Sequence, residues 1–294
     1  MRWLVLVFLF GCSAPVPGKL APDGLRIIVV PPVEVDAGLP DAGVPDAGVP
    51  WVIPIRVVTE ALGVVRAFAL IEHNGASVAL LIDTGSQLTF LTTPPGSPNY
   101  IADAGLITLG GRTRAVPGRP YAITETIDGK AVVGYLGADF FLEQPPTNLY
   151  FVAQEMRRDE APWDAGGWSS LPFTNYAGYL YVDVNVDQRA VHLNFDTGAA
   201  HTLVLDAGPQ PGDTPVQTQD AYGNNLTFYL GTASLSWDAG TPRSVPLLRA
   251  LRFPSFEDTN RSIGGPEIHG LLGISSMGGG ILRIDATRST IWLR

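Results

Sequence analysis

From about residue 51 onward, apolar positions come in short runs of Val, Ile, Leu, Phe and Tyr, separated by Gly, Pro, Asn and Asp. This is the patterning of strands and turns, and it predicts an all-β protein. Helical periodicity is almost absent, and short stretches after Gly137 and after Gly273 are the best helical candidates. Residues 155–176 (EMRRDEAPWDAGGWSSLPFTNY) are first polar, then rich in Pro and Gly, and read as a connector. They divide the patterned part into halves, residues 51–154 and 177–294.

The halves repeat. With an offset of 113 residues, 68–91 (FALIEHNGASVALLIDTGSQLTFL) aligns without a gap on 181–204 (YVDVNVDQRAVHLNFDTGAAHTLV). Asn74-Gly75 is a strong type I′ hairpin signal, and Asp187-Gln188 occupies the same turn as a weaker one. Downstream, Gly134-Tyr135-Leu136-Gly137 mirrors Gly270-Leu271-Leu272-Gly273. Each is followed by a closing strand, Asn148 to Val152 and Ser289 to Leu293. Gene duplication accounts for the repeat economically.

The first 50 residues have a different character. Arg2 precedes an apolar segment, Trp3 to Phe10, too short to span a bilayer, so residues 1–11 read as a signal peptide. Leu9-Phe10-Gly11-Cys12 resembles a bacterial lipobox, which makes Cys12 the candidate lipidation site. Ser13 lacks the Asp associated with inner-membrane retention. The expectation is therefore an exported lipoprotein, anchored in the outer membrane and touching it only through the lipid. Residues 12–50, with Asp-Ala-Gly-Leu/Val-Pro repeated from Asp36, are low in complexity and read as an extended stalk.

Composition narrows the chemistry. One cysteine in 294 residues excludes an intramolecular disulfide and a Cys-based metal cluster. A net charge of −9 argues against nucleic acid as a partner. No two of the four histidines (His73, His192, His201, His269) have metal-ligand spacing on a helix, so neither a metal nor another cofactor is expected. There is no G-x-S-x-G elbow, and Gly278-Gly279-Gly280 lacks the Lys-Ser/Thr of a phosphate loop.

What stands out is Asp83-Thr84-Gly85 and Asp196-Thr197-Gly198, each at the end of an apolar strand-like run. A tight loop can project an Asp carboxylate from a strand end, and a glycine lets the backbone turn closely beneath it. Two such carboxylates brought together share one proton, because both cannot ionise against each other.

These paired motifs, each with its later Gly-x-Leu-Gly, resemble the pepsin/retropepsin class of aspartic peptidases over residues 60–294. The resemblance implies a two-lobed fold with Asp83 and Asp196 at the floor of a cleft between lobes. It implies that one chain completes the site, so a monomer suffices, and that the substrate is a protein or peptide. Thr84 and Thr197 would hydrogen-bond across a pseudo-twofold, and each Gly-x-Leu-Gly glycine would pack beneath its own loop. Ser86 after the first motif resembles the pepsin form, and Ala199 after the second the retroviral form. A flap is also implied. Gln219 to Leu230, with Tyr222 and Gly223 at its tip, is the candidate in the second half; Ile107 to Arg112, around Gly110, is the candidate in the first. The alternative is a peptidase fold that no longer cleaves and serves as a peptide-binding or scaffold lipoprotein.

Overall fold

The computed structural model describes residues 51–294 except 60–64, 95–96, 99–100, 121–122, 124, 144, 159–164, 220–224, 238–240, 254–256, 258–260, 262–263 and 279. Cys12, the stalk, Tyr222 and Gly223 lie outside the described residues.

The first half begins with β1 (Trp51–Thr59), β2 (Val65–His73) and β3 (Ala76–Ile82). Asn74 and Gly75, at φ 52° and 75°, join β2 to β3 through the expected type I′ turn. Next come β4 (Phe90–Thr93), β5 (Ile101–Leu109), β6 (Arg112–Pro120), β7 (Thr126–Ile127) and β8 (Lys130–Leu136). A five-residue helix, α1 (Ala138–Leu142), and the strands β9 (Thr147–Tyr150) and β10 (Glu155–Arg158) complete this half.

The second half repeats the plan with β11 (Ser169–Tyr176), β12 (Tyr179–Val186), β13 (Arg189–Asp196) and β14 (Thr202–Leu205). Asp187 and Gln188, at φ 49° and 68°, take the same turn conformation as Asn74-Gly75 although neither is glycine. Then follow β15 (Thr214–Gln219), β16 (Asn225–Ser236), β17 (Arg243–Ala250), β18 (Gly270–Gly273), β19 (Ile281–Asp285) and β20 (Thr290–Leu293). A 3-10 turn, Ile274–Met277, stands where α1 stands in the first half.

One topological feature positions the site. In the first half, β8 runs parallel to β3 and antiparallel to β4, so the chain from Asp83 to Thr89 loops around the end of β8. In the second half, β18 lies between β13 and β14 in the same way. Both inserted strands end in a Gly-x-Leu-Gly element. That explains the glycines: a Cβ on Gly137 would meet the Leu88 backbone, and one on Gly273 would meet the His201 backbone.

A third sheet joins the halves, in the order β1–β10–β9–β19–β20–β11. The central pair, β9 and β19, brings Leu149 opposite Leu282. The outer strands correspond too. β1 leaves this sheet after Pro54 and continues along β2, while β11 leaves it after Pro172 and continues along β12. A proline has no N–H to offer a ladder, which suits a residue at the point of departure. Beyond each proline the bonds match as well, Ile55 N to Gln154 O and Phe173 N to Ser289 O, both 2.9 Å.

The segment 155–176, expected to be a connector, therefore carries strands at both ends. Glu155–Arg158 belongs to the joining sheet, and Ser169–Tyr176 is the first strand of the second repeat. The core is continuous: one buried cluster includes Ile55, Leu80 and Phe140 from the first half and Leu193, Phe195 and Leu282 from the second.

Candidate active site

The loops at the ends of β3 and β13 meet at the pseudo-twofold. Thr84 N donates to Thr197 Oγ1 at 3.0 Å, and Thr197 N donates to Thr84 Oγ1 at 3.0 Å. Each hydroxyl then donates onward to a main-chain oxygen of the opposite half, Thr84 to Phe195 at 2.9 Å and Thr197 to Ile82 at 3.0 Å. These four bonds are reciprocal, and both threonines are fully buried. Each hydroxyl both donates and accepts, so no main-chain polar group at this junction is orphaned by the meeting of the loops.

The grip brings Asp83 and Asp196 side by side, at 0% and 1% exposure. The glycines make this approach possible. A Cβ on Gly85 would lie 2.5 Å from Asp196 Oδ2, and a Cβ on Gly198 would lie 2.6 Å from Asp83 Cγ. Each loop glycine thus lies against the carboxyl of the opposite half, and any side chain there would displace it.

Backbone amides serve the carboxyls. Gly85 N donates to Asp83 Oδ1 at 3.0 Å, while Gly198 N and Ala199 N donate to Asp196 Oδ1 at 2.8 and 3.0 Å. Burial, the negative charge of Asp196 and a hydrogen bond between the carboxyls hold Asp83 well above the usual carboxylate range. Burial also raises Asp196, against the bond to Asp83 and the backbone amides, which favour its ionised form. A proton held between the carboxyls satisfies both, so the pair is arranged to retain one.

The supporting residues include two that the motif did not single out. Thr89 Oγ1 accepts from Gly137 N at 3.0 Å, and Thr202 Oγ1 accepts from Gly273 N at 3.1 Å. They lock each inserted strand to its aspartate loop. Ala138 N to Ser86 O (2.7 Å) and Ile274 N to Ala199 O (3.0 Å) reinforce the same contact. The signal was present in the sequence, because Thr89 and Thr202 stand at the same 113-residue offset as the aspartates. Ser86 uses its hydroxyl on Leu88 O at 2.9 Å and not on Asp83. Gln87 Nε2 donates to Ala177 O, tying the β11–β12 turn to the first aspartate loop.

The two halves differ in what stands beside the loops. In the second, β15 and β16 form a hairpin paired from Thr214–Leu230 to Gln219–Asn225. Leu226 and Phe228 from it share a buried cluster with Ala199 and Leu203, so the hairpin packs on the second aspartate loop. Its base is held by Asp213, whose carboxylate receives both 3.0 and 3.1 Å bonds from the Arg249 guanidinium.

The first-half candidate around Gly110 is corrected. Gly110-Gly111 turns β5 into β6, and β5 meets β2 at Glu72 and His73, beside the Asn74-Gly75 turn. That is the end of β3 remote from Asp83, roughly 23 Å away at about 3.3 Å per strand residue. Gly110 lies against Trp51, not against the carboxyls. The Gly-Gly pair signals a hairpin locally but carries no information on which end of the sheet it will occupy. Only seven residues separate β4 from β5 in the first half, too few for a hairpin of the β15–β16 kind.

His201 is buried at the end of the second loop, its Nδ1 3.5 Å from Ser275 Oγ, and burial lowers its pKa. His73 contacts Leu106 O, and His192 pairs with Asp183 at 2.7 Å. Among the described residues, no cluster of His, Cys, Asp and Glu is placed to hold a metal, and no helix is long and apolar enough to cross a membrane.

No family model matches the chain, and no curated protein matches it. Among solved structures, it is similar to basic 7S globulin from soybean, with 12% identity and a TM-score of 0.46, over 83% of this chain and 94% of that one. It is also similar to an aspartic proteinase from Irpex lacteus, with 13% identity and a TM-score of 0.44, over 83% of this chain and 97% of that one.

Proposed function

We propose that this protein is an aspartic endopeptidase that hydrolyses peptide bonds through a water held by Asp83 and Asp196. The observation that carries the reading is the reciprocal Thr84–Thr197 grip, which seats two buried carboxyls against each other at the junction of two repeats. Such a pair retains one proton between its members. It can therefore take a proton from water and offer one to a carbonyl oxygen at the same time. The water adds to the scissile carbonyl to give a tetrahedral intermediate, with no covalent bond to the enzyme. The resemblance to pepsins and retropepsins in the two Asp-Thr-Gly turns supports the same chemistry.

Both carboxyls come from one chain, so a monomer suffices for this reaction. The β15–β16 hairpin, packed on the second loop, is the element suited to close over a bound peptide. The lipobox-like Cys12 and the repetitive stalk support export and tethering at the outer membrane.

Cleavage of an unfolded protein substrate by the full chain between pH 3 and pH 7 tests the reading. Wild type is expected to cleave, and Asp83→Asn and Asp196→Asn to lose cleavage. A correctly folded wild type that cleaves at no pH would shift the assignment to a peptide-binding lipoprotein. The short first-half segment between β4 and β5, which leaves one hairpin where two could stand, is the observation favouring that second reading.

A further inference from the structure

Among the described residues four arginines are buried, Arg119, Arg158, Arg249 and Arg283. Arg158 pairs with Glu143, Arg249 with Asp187 and Asp213, and Arg283 donates to Asn148 Oδ1 at 3.0 Å. Arg119 differs. It is 8% exposed, its guanidinium stands over the Phe90 ring at 5.3 Å, and no described carboxylate pairs with it. A buried cation without an anion is costly.

Its place in the fold gives that cost a use. Tyr135 of β8 pairs with Leu81 of β3 and with Phe90 of β4, so the three form one row across the sheet, with Asp83 two residues beyond Leu81. At about 3.3 Å per strand residue and roughly 4.8 Å between strands, the Phe90 end of the row lies about 12 Å from Asp83. Leu81, Phe90 and Tyr135 share a buried cluster with Phe68. The other arginine on that cluster, Arg66 over Phe68, is neutralised by Glu125 at 2.6 Å.

The repeat identifies this side of the sheet. Leu203 and Leu271, the equivalents of Phe90 and Tyr135, belong to the cluster on which Leu226 and Phe228 of the β15–β16 hairpin pack. Thr92 pairs with Arg119 as Leu205 pairs with Ala250, so Arg119 stands where the second half has Ala250 of that same cluster. The side on which the hairpin lies in one half therefore carries an unneutralised guanidinium in the other.

We propose that Arg119 determines specificity by receiving a substrate carboxylate, so that the preferred peptides carry Glu or Asp about two residues from the scissile bond. This deepens the peptidase reading and rests on it. Two residues of an extended peptide advance about 7 Å, and a glutamate side chain spans the remainder. A planar guanidinium matches a carboxylate through two parallel N–H···O bonds. The Phe90 face holds the guanidinium in place before the ligand arrives. The net charge of −9 disfavours acidic peptides at large, so a preference for them must arise locally.

Fluorescence anisotropy of two labelled decapeptides with the full chain tests this, one alternating Leu with Glu and the other Leu with Gln. Wild type is expected to bind the Glu peptide about tenfold more tightly, the difference a charged hydrogen-bond partner makes. Arg119→Met, which keeps an apolar stem on Phe90, and Arg119→Gln should both lose the preference, with circular dichroism checking that each is folded. A purely structural arginine would lower Tm without moving the ratio of the two affinities. Equal binding by wild type, or a preference that survives in either folded variant, overturns the proposal, and the wild-type comparison decides against it even if neither variant folds. Binding requires no cleavage. A Glu preference in a protein that does not cleave would sink the peptidase reading and leave the carboxylate site standing; cleavage without that preference would do the opposite.

Discussion

Thr84→Val keeps the volume of the side chain and removes only its hydroxyl. In doing so it takes away the donor to Phe195 O and the acceptor for Thr197 N, both within the buried junction. A buried polar group left without a partner costs about 1–3 kcal/mol. Orphaned carbonyls, with two lone pairs, fall toward the lower part of that range. The expected loss is therefore about 2–4 kcal/mol, a large share of the roughly 5–15 kcal/mol by which a folded protein is stable. With a urea slope of about 3 kcal/mol per M, the unfolding midpoint should fall by roughly 1 M. Thr84→Ser is the control, because it retains the hydroxyl and gives up one methyl, worth about 0.8 kcal/mol. The assay is urea unfolding followed by circular dichroism and tryptophan fluorescence for wild type and both variants. A midpoint shift for Thr84→Val below about 0.2 M, or equal damage from Thr84→Ser, would show that the hydroxyl does not hold the halves together.

Gly198→Ala should abolish cleavage while the secondary structure survives, because the new Cβ would lie 2.6 Å from Asp83 Cγ and must displace it; cleavage rate and circular dichroism check this, with a loss of stability from overpacking of about 1–3 kcal/mol expected alongside. Arg249→Ala leaves Asp213 buried and unpaired where both side chains are 5% exposed, so a loss of about 3–5 kcal/mol is expected. Hydrogen exchange should rise first in residues 214–219 and 225–230, and unchanged protection there would contradict the anchoring role. Two buried groups give opposite pH dependences. The lowered pKa of His201 means that its contribution is present above about 6.5, the unfolded value, and is lost as pH falls through the folded value. Replacing it with the residue at the equivalent first-half position, His201→Leu, should reduce the fall in Tm on acidification below that pH. The raised pKa of Asp83 acts the other way, its contribution being present below about 3.9 and lost as pH rises through the folded value. Asp83→Asn should therefore flatten the decline of Tm toward neutral pH.

What could be read from the sequence was the part that short-range chemistry controls. Alternating apolar runs made the protein all-β, and Asn74-Gly75 marked a type I′ turn because only residues tolerant of positive φ fit there. The 113-residue repeat by itself singles out Asp83 and Asp196, since equivalent loops need equivalent residues. Tertiary structure decided the remainder. Asp187-Gln188 takes the same turn as Asn74-Gly75 because the paired strands on either side impose it. The 155–176 segment looked like a connector because its middle is rich in Pro and Gly. Its ends are built into the joining sheet by β1 and β20, distant in sequence, which supply ladders to Glu155–Arg158 and Ser169–Pro172. Gly110 carried a turn signal as strong as any, yet it lies at the wrong end of the sheet for the dyad, a matter of which strand β5 pairs with and not of the turn itself. The second amide that Asp196 Oδ1 receives, from Ala199, over the single one that Asp83 Oδ1 receives from Gly85, also depends on loop geometry. Local propensity selects turns and strands; which strand meets which, and where a single N–H points, follows from contacts between residues far apart in the chain.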